Sequence, residues 1–402
     1  MASFDVSKRW IILSPASIPV AGQAAAELAD CISLLRGRAG LGKASPVIEN
    51  AETVSPPDSE PVILLNSGGA GPDRNGYTWR LGRGRLEIYG DSGRGLCSGV
   101  FDFLSALGIS WPKPGLELFP PPAPGAAVSA ATGCYPLADD RAICPSAGSP
   151  AELRRLVINE KAKLKDPESI VRWAARNRCD SLVLSFGGKL LRDAAFSGAV
   201  KKYAMMIEAG GWDLSLLLPR SLFFLHRELF RMEGGRRTPR HNFCPTNPET
   251  MEFLQKNAAR LFSRAIPLMS GEPAEGPAAS GGGTGGARPV RVFHLWPDRG
   301  HEKSWCSCPA CRAFTPEDQN RIALNIAADA LARIDPNARL GFYEAPGDGR
   351  AESGAGGASD EDGADRGEGA APAGGIRTRP NLFILNRYPE CVPKQRACPA
   401  SR

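Results

Sequence analysis

The pattern of apolar and polar positions in the first ninety residues predicts both strands and helices. Residues 10–13 and 61–66 are short apolar runs, which are typical of buried strands. Residues 21–35 are rich in Ala and Leu and favour a helix. Two alternating segments, residues 77–80 and 85–89, flank a Gly-Arg-Gly turn and predict a β-hairpin. The N-terminal region is therefore interpreted as a small α/β domain.

A helix that would cover the apolar face of this hairpin follows it directly. Asp91 and Ser92 are residue types that cap helix N-termini, and they stand in front of the apolar segment 99–104. We expect this helix to end near Gly108, because glycine is common just beyond the last helical turn. The hairpin and the helix together would close a small core.

A change of composition marks the predicted end of this domain. Residues 116–131 combine proline with small residues and show no periodicity, which is typical of an interdomain linker. We therefore expect an N-terminal domain over residues 1–115, a linker over residues 116–131 and a second domain over residues 132–402.

Beyond the linker, apolar runs rich in β-formers alternate with helical patterns. This alternation predicts parallel strands with helices packed against them, in a sheet that is open or closed into a (β/α) barrel. A complete barrel has eight strands, and we count about five or six, so we expect an incomplete barrel. Asn247 and Thr315 each precede a proline and are predicted N-caps. The predicted strands are residues 181–186, 213–219, 290–296, 339–343 and 381–386, and the predicted helices are residues 167–178, 193–209, 247–266 and 316–334.

Two segments interrupt the alternation of strands and helices. Residues 271–286 are rich in Gly and Ala, and residues 346–375 mix Gly and Ala with acidic residues. Such compositions hold few residues that would pack into a core, so we expect disordered insertions in surface loops.

Charge and composition narrow the classes of partner and the cellular compartment. The net charge of +6 is spread along the chain, and pairs such as Arg236-Arg237 are too short for a nucleic-acid-binding tract.

The apolar run at residues 10–13 is too short for a signal peptide, and no apolar stretch approaches the roughly 18 residues that span a bilayer. The 11 cysteines are odd in number and unevenly spaced. We expect a cytoplasmic protein that binds neither nucleic acid nor membrane, and the oligomeric state stays open.

The densest group of candidate functional residues ends the strand predicted at residues 290–296. In βα architectures, functional groups lie at the carboxyl ends of strands, where Asp298 is expected. Trp296 would stack on a sugar face, and His294 would donate a hydrogen bond to a hydroxyl group. The alternative is that His294 and Trp296 are packing residues and that Asp298 caps a turn.

Cysteines in a C-x-C-x-x-C array follow this strand. Cys306, Cys308 and Cys311 would supply three of the four thiolates of a tetrahedral zinc site. Cys244 is the best candidate for the fourth ligand, with His301 as the second choice. Four thiolates would make the site closed and structural. The alternative is a set of buried or reactive free cysteines.

Glycoside hydrolysis usually requires two carboxylates, one protonated and one ionised. Asp298 and Glu344 are the predicted catalytic pair, because each follows a predicted strand. Arg387 and Tyr388 follow the last predicted strand and are candidate substrate-binding residues on the same rim. A solvated loop is the alternative for these two residues.

The order of several motifs resembles a bacterial family of uncharacterised proteins over most of the chain. This family joins an α/β domain, of the type that precedes the barrel in hexosaminidases and α-glucuronidases, to a glycosidase-like barrel. The resemblance implies this fold and carbohydrate as the substrate class, but it identifies no catalytic pair. The stretches that carry the resemblance are residues 89–104, 108–112, 244–249, 293–298, 305–311 and 315–325.

The chain departs from this family in two places and from the hexosaminidases in a third. Family members usually continue beyond the segment that matches residues 391–398, and the loop after Tyr343 is replaced here by the Gly-rich and acidic insertion. Hexosaminidases carry an Asp-Glu pair at the end of one barrel strand, whereas Asp298 is followed by Arg299. A substrate-assisted mechanism of the hexosaminidase type is therefore not expected.

Three functions follow from these residues and this resemblance. The first is a glycoside hydrolase that uses Asp298 and Glu344. The second is a non-catalytic relative that binds carbohydrate by stacking Trp296 and Tyr388 on sugar. The third is an interaction protein stabilised by zinc, in which the cysteines organise a loop that binds another macromolecule.

Overall fold

The structure is a computed structural model, and it divides the chain into two compact units. They are Met1–Ile207 with Pro389–Arg402, and Glu208–Tyr388. The boundary predicted at residues 116–131 stays a prediction, because most of that segment lies outside the described residues, as do both predicted insertions. The structure describes residues 2–53, 60–68, 75–82, 84–121, 134–147, 152–159, 166–185, 190–270, 291–297, 304–342, 379–384 and 390–391.

The first unit contains both strands and helices. Its helices are α1 (Pro19–Arg38), α2 (Gly93–Ala106), α3 (Pro167–Arg176) and α4 (Ala194–Lys202). Its strands are β1 (Ala2–Asp5), β2 (Ile11–Ser14), β3 (Val47–Asn50), β4 (Val62–Ser67), β5 (Tyr77–Gly82), β6 (Arg85–Gly90), β7 (Ser110–Lys113), β8 (Leu116–Leu118), β9 (Cys134–Leu137), β10 (Arg141–Cys144), β11 (Arg155–Ile158), β12 (Ser181–Leu184) and, from the end of the chain, β19 (Glu390–Cys391).

A six-stranded mixed sheet forms the core of the N-terminal region. Its strand order is β10-β5-β6-β4-β2-β3, with parallel pairing among β2, β3, β4 and β6. The predicted hairpin is confirmed, since β5 and β6 pair antiparallel around Gly84 in a left-handed conformation (φ 73°). β19, β11 and β12 pair in parallel in that order.

The predicted helix after the hairpin is also confirmed. It is α2, and the Ser92 side chain caps it by accepting a hydrogen bond from the Gly95 N–H at 3.2 Å. Phe103 of α2 packs edge-on against Trp79 of β5, with ring centroids 5.4 Å apart. Trp79 also donates a hydrogen bond from Nε1 to Asp102 at 2.9 Å, so the helix covers one face of the hairpin.

The second unit holds four parallel strands in the order β13-β16-β17-β18, with a short antiparallel hairpin β14-β15. Phe262 of the helix before β16 packs on Phe293 of that strand, with centroids 5.2 Å apart. This helix thus packs against the strand that carries Phe293. The elements are β13 (Met206–Asp213), β14 (Met232–Glu233), β15 (Arg236–Arg237), α5 (Pro248–Ser270), β16 (Val292–Trp296), α6 (Pro316–Ile334), β17 (Arg339–Phe342) and β18 (Leu382–Ile384).

Both predicted N-caps of these helices are confirmed. The Asn247 side chain accepts from the Thr250 N–H at 3.1 Å in front of α5. Thr315 and Asp318 form a reciprocal capping box at α6, whose bounds are those predicted.

Two predictions in the middle of the chain are wrong. The segment predicted as the end of a helix, residues 206–209, is the start of β13, and the helix α4 ends at Lys202. The segment predicted as a strand from Asp213 instead forms a 3₁₀-helix at Leu214–Leu217. Met, Ala and Glu are good helix formers, but intrinsic propensity is a weak determinant and parallel pairing overrides it.

Candidate functional site

Four cysteine side chains converge in the second unit. Cys244, Cys306, Cys308 and Cys311 are all buried, and their sulfur atoms all lie within 4.8 Å of one another. The sulfur of Cys244 lies 3.7 Å from that of Cys308 and 3.6 Å from that of Cys311. The structure therefore brings together the four residues that the sequence predicts as a metal-ligating set.

The spacing of these sulfurs fits a tetrahedral zinc ion. Zn–S bonds of about 2.3 Å place the sulfurs of a tetrahedron about 3.8 Å apart, which is close to the two measured separations. A disulfide needs sulfurs about 2.05 Å apart, and the four cysteines are all free thiols. The donor set is thus suited to a structural zinc ion and leaves no ligand position for water.

Local hydrogen bonds hold the two cysteine-bearing loops in place. The Cys244 N–H donates to the Leu229 carbonyl at 3.1 Å, in the turn before α5. The other three cysteines precede α6, where the Gln319 side chain accepts from the Cys306 N–H at 3.0 Å and donates to the Cys306 carbonyl at 3.1 Å. A buried glutamine in α6 thereby fixes the loop that carries three of the thiols.

Hydrogen-bond donors surround the sulfurs, as they do around thiolates in metal sites. The Met232 N–H points at the Cys306 sulfur at 3.2 Å, and the guanidinium of Arg237 reaches the same sulfur at 3.7 Å. The Thr246 hydroxyl lies 3.1 Å from the Cys311 sulfur. A zinc ion with four thiolates carries a net charge of −2, so these donors and the Arg237 cation would offset that charge.

The proximity of the thiols shifts their acidity. Hydrogen bonds from Cys306 and Cys311 lower the pKa of Cys244 far below its usual range, because they stabilise its thiolate. The same bond to Cys244 raises the pKa of Cys306 to about 11, since Cys306 holds its proton as the donor. The pKa of Cys311 is raised for the same reason. The hydrogen bonds within the cluster thus favour a thiolate at Cys244.

His294 lies inside the second unit rather than at its surface. Its side chain is fully buried, and its Nε2 lies 2.5 Å from a carboxylate oxygen of Glu208, itself buried on β13. Gly210 stands opposite His294, and a Cβ there would lie 2.3 Å from the His294 carbonyl oxygen. The predicted contact of His294 with substrate stays a prediction, and its observed partner is Glu208, which the sequence analysis missed.

Trp296 is buried as well, with 6% of its surface exposed. Its ring lies over Gly211, where a Cβ would come within 3.0 Å of the indole. In the parallel pairing of β13 with β16, Asp213 stands opposite Trp296 and is exposed. An exposed carboxylate and an aromatic residue thus share the carboxyl edge of these two strands.

Asp213 was not predicted as a candidate, because a strand was predicted to start there. The Gly-Gly-Trp-Asp sequence at residues 210–213 was the available signal, since paired glycines in a strand often mark a bulge or a close approach. The other predicted site residues, Asp298, Glu344, Arg387 and Tyr388, lie outside the described residues, as does His301.

In the part of the chain that the structure describes, no helix is both long and apolar enough to cross a membrane.

Comparisons with known proteins give similarity at the level of solved structures. No family model matches the chain. No curated protein matches it either. A Vibrio harveyi GH20 exo-β-N-acetylglucosaminidase in complex with N-acetylglucosamine matches with 11% identity and a TM-score of 0.40, over 85% of this chain and 52% of that one.

Two further solved structures match over the same share of this chain, 85%. A mutant Streptomyces plicatus β-hexosaminidase in complex with its product GlcNAc has 14% identity, a TM-score of 0.42 and 62% coverage of its own chain. A Flavobacterium johnsoniae chitobiase has 13% identity, a TM-score of 0.44 and 50% coverage. The chain thus spans half to two thirds of the length of these proteins, and no activity follows from similarities of this size.

Proposed function

We propose that the second unit binds one zinc ion through Cys244, Cys306, Cys308 and Cys311, and that this ion is structural. The observation that supports the proposal is the set of four buried sulfurs with the spacing of a tetrahedral zinc site. Four thiolates close the coordination sphere, so the ion has no open position for catalysis. Its role is to stabilise the fold around it.

The zinc ion would join two segments that are far apart in sequence. Cys244 precedes α5, and the other three ligands precede α6. The hairpin β14-β15 is tied to the same cluster, since the Ser307 N–H donates to the Met232 carbonyl at 2.9 Å. Metal binding and folding are coupled in such sites, so the loops on the carboxyl side of β13 and β16 would depend on zinc for their order.

The test is the zinc content of purified full-length protein after dialysis against metal-free buffer. We expect one zinc per chain in the wild type and in Cys144→Ser, a control outside the cluster, and none in Cys308→Ser. Zinc that persists in Cys308→Ser, or a wild type that holds no zinc, would reject the proposal.

A second candidate function is action on carbohydrate at the carboxyl edge of β13 and β16. We propose it because Asp213 and Trp296 are adjacent there, and because binding sites of parallel α/β folds lie at this edge. The family resemblance stated above favours carbohydrate as the substrate class. Asp298 and Glu344 remain the proposed catalytic pair of a glycoside hydrolase, with Arg387 and Tyr388 as proposed substrate-binding residues.

The test of this second function is hydrolysis of a panel of chromogenic glycosides, beginning with β-N-acetylglucosaminides. A hydrolase would lose activity in Asp298→Asn and in Glu344→Gln while each variant keeps its zinc and its melting temperature. Binding of sugar without turnover, weakened by Tyr388→Ala, would favour the non-catalytic relative. Zinc with neither binding nor turnover would favour the interaction protein.

A further inference from the structure

A second group of metal-ligating side chains lies outside the cysteine cluster. His226, Glu228 and Glu249 each offer one donor atom, and these atoms all lie within 4.8 Å of one another. We propose that these three residues form a site for a divalent first-row transition-metal cation, distinct from the zinc site in its ligands and in its exposure.

The distances between the donor atoms suit such a cation. His226 Nδ1 lies 3.4 Å from a Glu228 carboxylate oxygen and 3.7 Å from a Glu249 carboxylate oxygen. A cation with bonds of about 2.1 Å holds neighbouring donors about 3.0 to 3.4 Å apart, depending on whether its geometry is octahedral or tetrahedral. The separation of His226 from Glu228 lies at the upper end of this range, and its separation from Glu249 is slightly longer.

The backbone that carries these ligands is held in place by side chains at the start of α5. The Asn247 side chain donates to the Glu228 carbonyl at 3.3 Å and accepts from the Thr250 N–H at 3.1 Å. The Thr250 hydroxyl donates to the Leu229 carbonyl at 3.1 Å. The segment with His226 and Glu228 is therefore fixed against the first turn of α5, which carries Glu249.

The ligand types decide which ions the site would take. One imidazole and two carboxylates give borderline and hard donors, which suit ions such as Ni²⁺, Co²⁺, Zn²⁺ and Mn²⁺, whereas the four thiolates of the cysteine cluster are soft. The side chains of His226, Glu228 and Glu249 are 39%, 54% and 47% exposed, so an ion reaches them from solvent. Three protein ligands leave open positions for water or a further ligand.

The experiment is equilibrium dialysis of the zinc-loaded full-length protein against Ni²⁺, with nickel and zinc measured in the same samples. Constant zinc content shows that nickel has not entered the cysteine cluster. We expect one saturable nickel per chain, and an affinity at least about tenfold lower in His226→Ala and in Glu249→Gln. The Glu249→Gln change keeps side-chain size at an exposed position, which guards against misfolding.

His241→Asn serves as the matched control, because it removes another histidine of the same unit while Asn tolerates its left-handed backbone (φ 60°). Nickel binding is expected to be unchanged in this control. The absence of saturable nickel binding would overturn the proposal, because it would show that the three side chains form ion pairs without a metal. Equal affinity in the wild type and both ligand variants would overturn it as well.

Discussion

Each unit of the protein buries a cluster of ionisable side chains, and the two clusters differ in the source of their counter-charge. In the first unit, the buried carboxylate of Glu27 lies 2.7 Å from Arg176 and accepts a hydrogen bond from the Tyr203 hydroxyl at 2.5 Å. Glu117 also pairs with Arg176. Burial opposes the charge of Arg176, but the Glu27 carboxylate outweighs it and raises the pKa of the guanidinium. This cluster carries its own cation.

The cysteine cluster of the second unit has less positive charge beside it than four thiolates would need. The guanidinium of Arg237 contacts it and would offset one negative charge, but the four thiolates of a metal site would need more positive charge. A buried ionisable cluster with an internal counter-ion is therefore complete in itself, whereas four buried thiolates would need a bound cation, as proposed for the cysteine cluster.

The largest expected effect comes from removal of the proposed ion. Treatment with a strong chelator is expected to lower the free energy of unfolding of the second unit by more than about 4 kcal/mol, because loss of a structural metal is among the most destabilising changes. Thermal unfolding followed by circular dichroism, with and without chelator, measures this effect. An unchanged melting temperature after verified zinc removal would show that the ion does not stabilise the second unit.

A smaller effect is expected in the first unit, and it should not depend on metal. Arg176→Met leaves Glu27 buried without its cation and is expected to cost roughly 3 kcal/mol, since breaking one side of a buried ion pair strands the other charge. Denaturant unfolding measures this cost. The double variant Glu27→Gln with Arg176→Met is expected to cost less than the sum of the two single variants, and full additivity would contradict the pairing.

The smallest expected effect concerns Arg237, the cation that contacts the cysteine cluster. Arg237→Ala is expected to retain zinc but to weaken its binding by about tenfold, because the guanidinium offsets part of the negative charge of the zinc–thiolate group. Competition with a chromogenic chelator measures this affinity. Arg237→Lys is expected to recover part of the loss, and equal affinities in all three proteins would show that the charge of Arg237 does not act on the site.

Much of the fold could be predicted from local sequence because local signals and tertiary structure agree there. The capping pattern at Thr315 gives the bounds of α6, and the alternation in β5 and β6 gives the hairpin. The convergence of the four cysteines was also predictable, since three lie within six residues and thiols in such spacing share one function.

The remaining features depend on contacts that local sequence does not encode. The start of β13 contains Met206, Glu208 and Ala209, which are residue types common in helices, and pairing within the sheet makes it a strand. Because that strand was misplaced, Glu208 and its contact with His294 were missed, and so was the position of Asp213 opposite Trp296. The grouping of His226 with Glu249 likewise arises from a turn that packs on α5, and these residues are far apart in sequence.

The most direct test of the central claim is X-ray absorption at the zinc edge of the purified full-length protein. It reports the ligand atoms around the metal and their distances. We predict four sulfur atoms at about 2.3 Å, and loss of this shell in Cys308→Ser. A shell of nitrogen or oxygen atoms, or a protein that binds no zinc, would contradict the account.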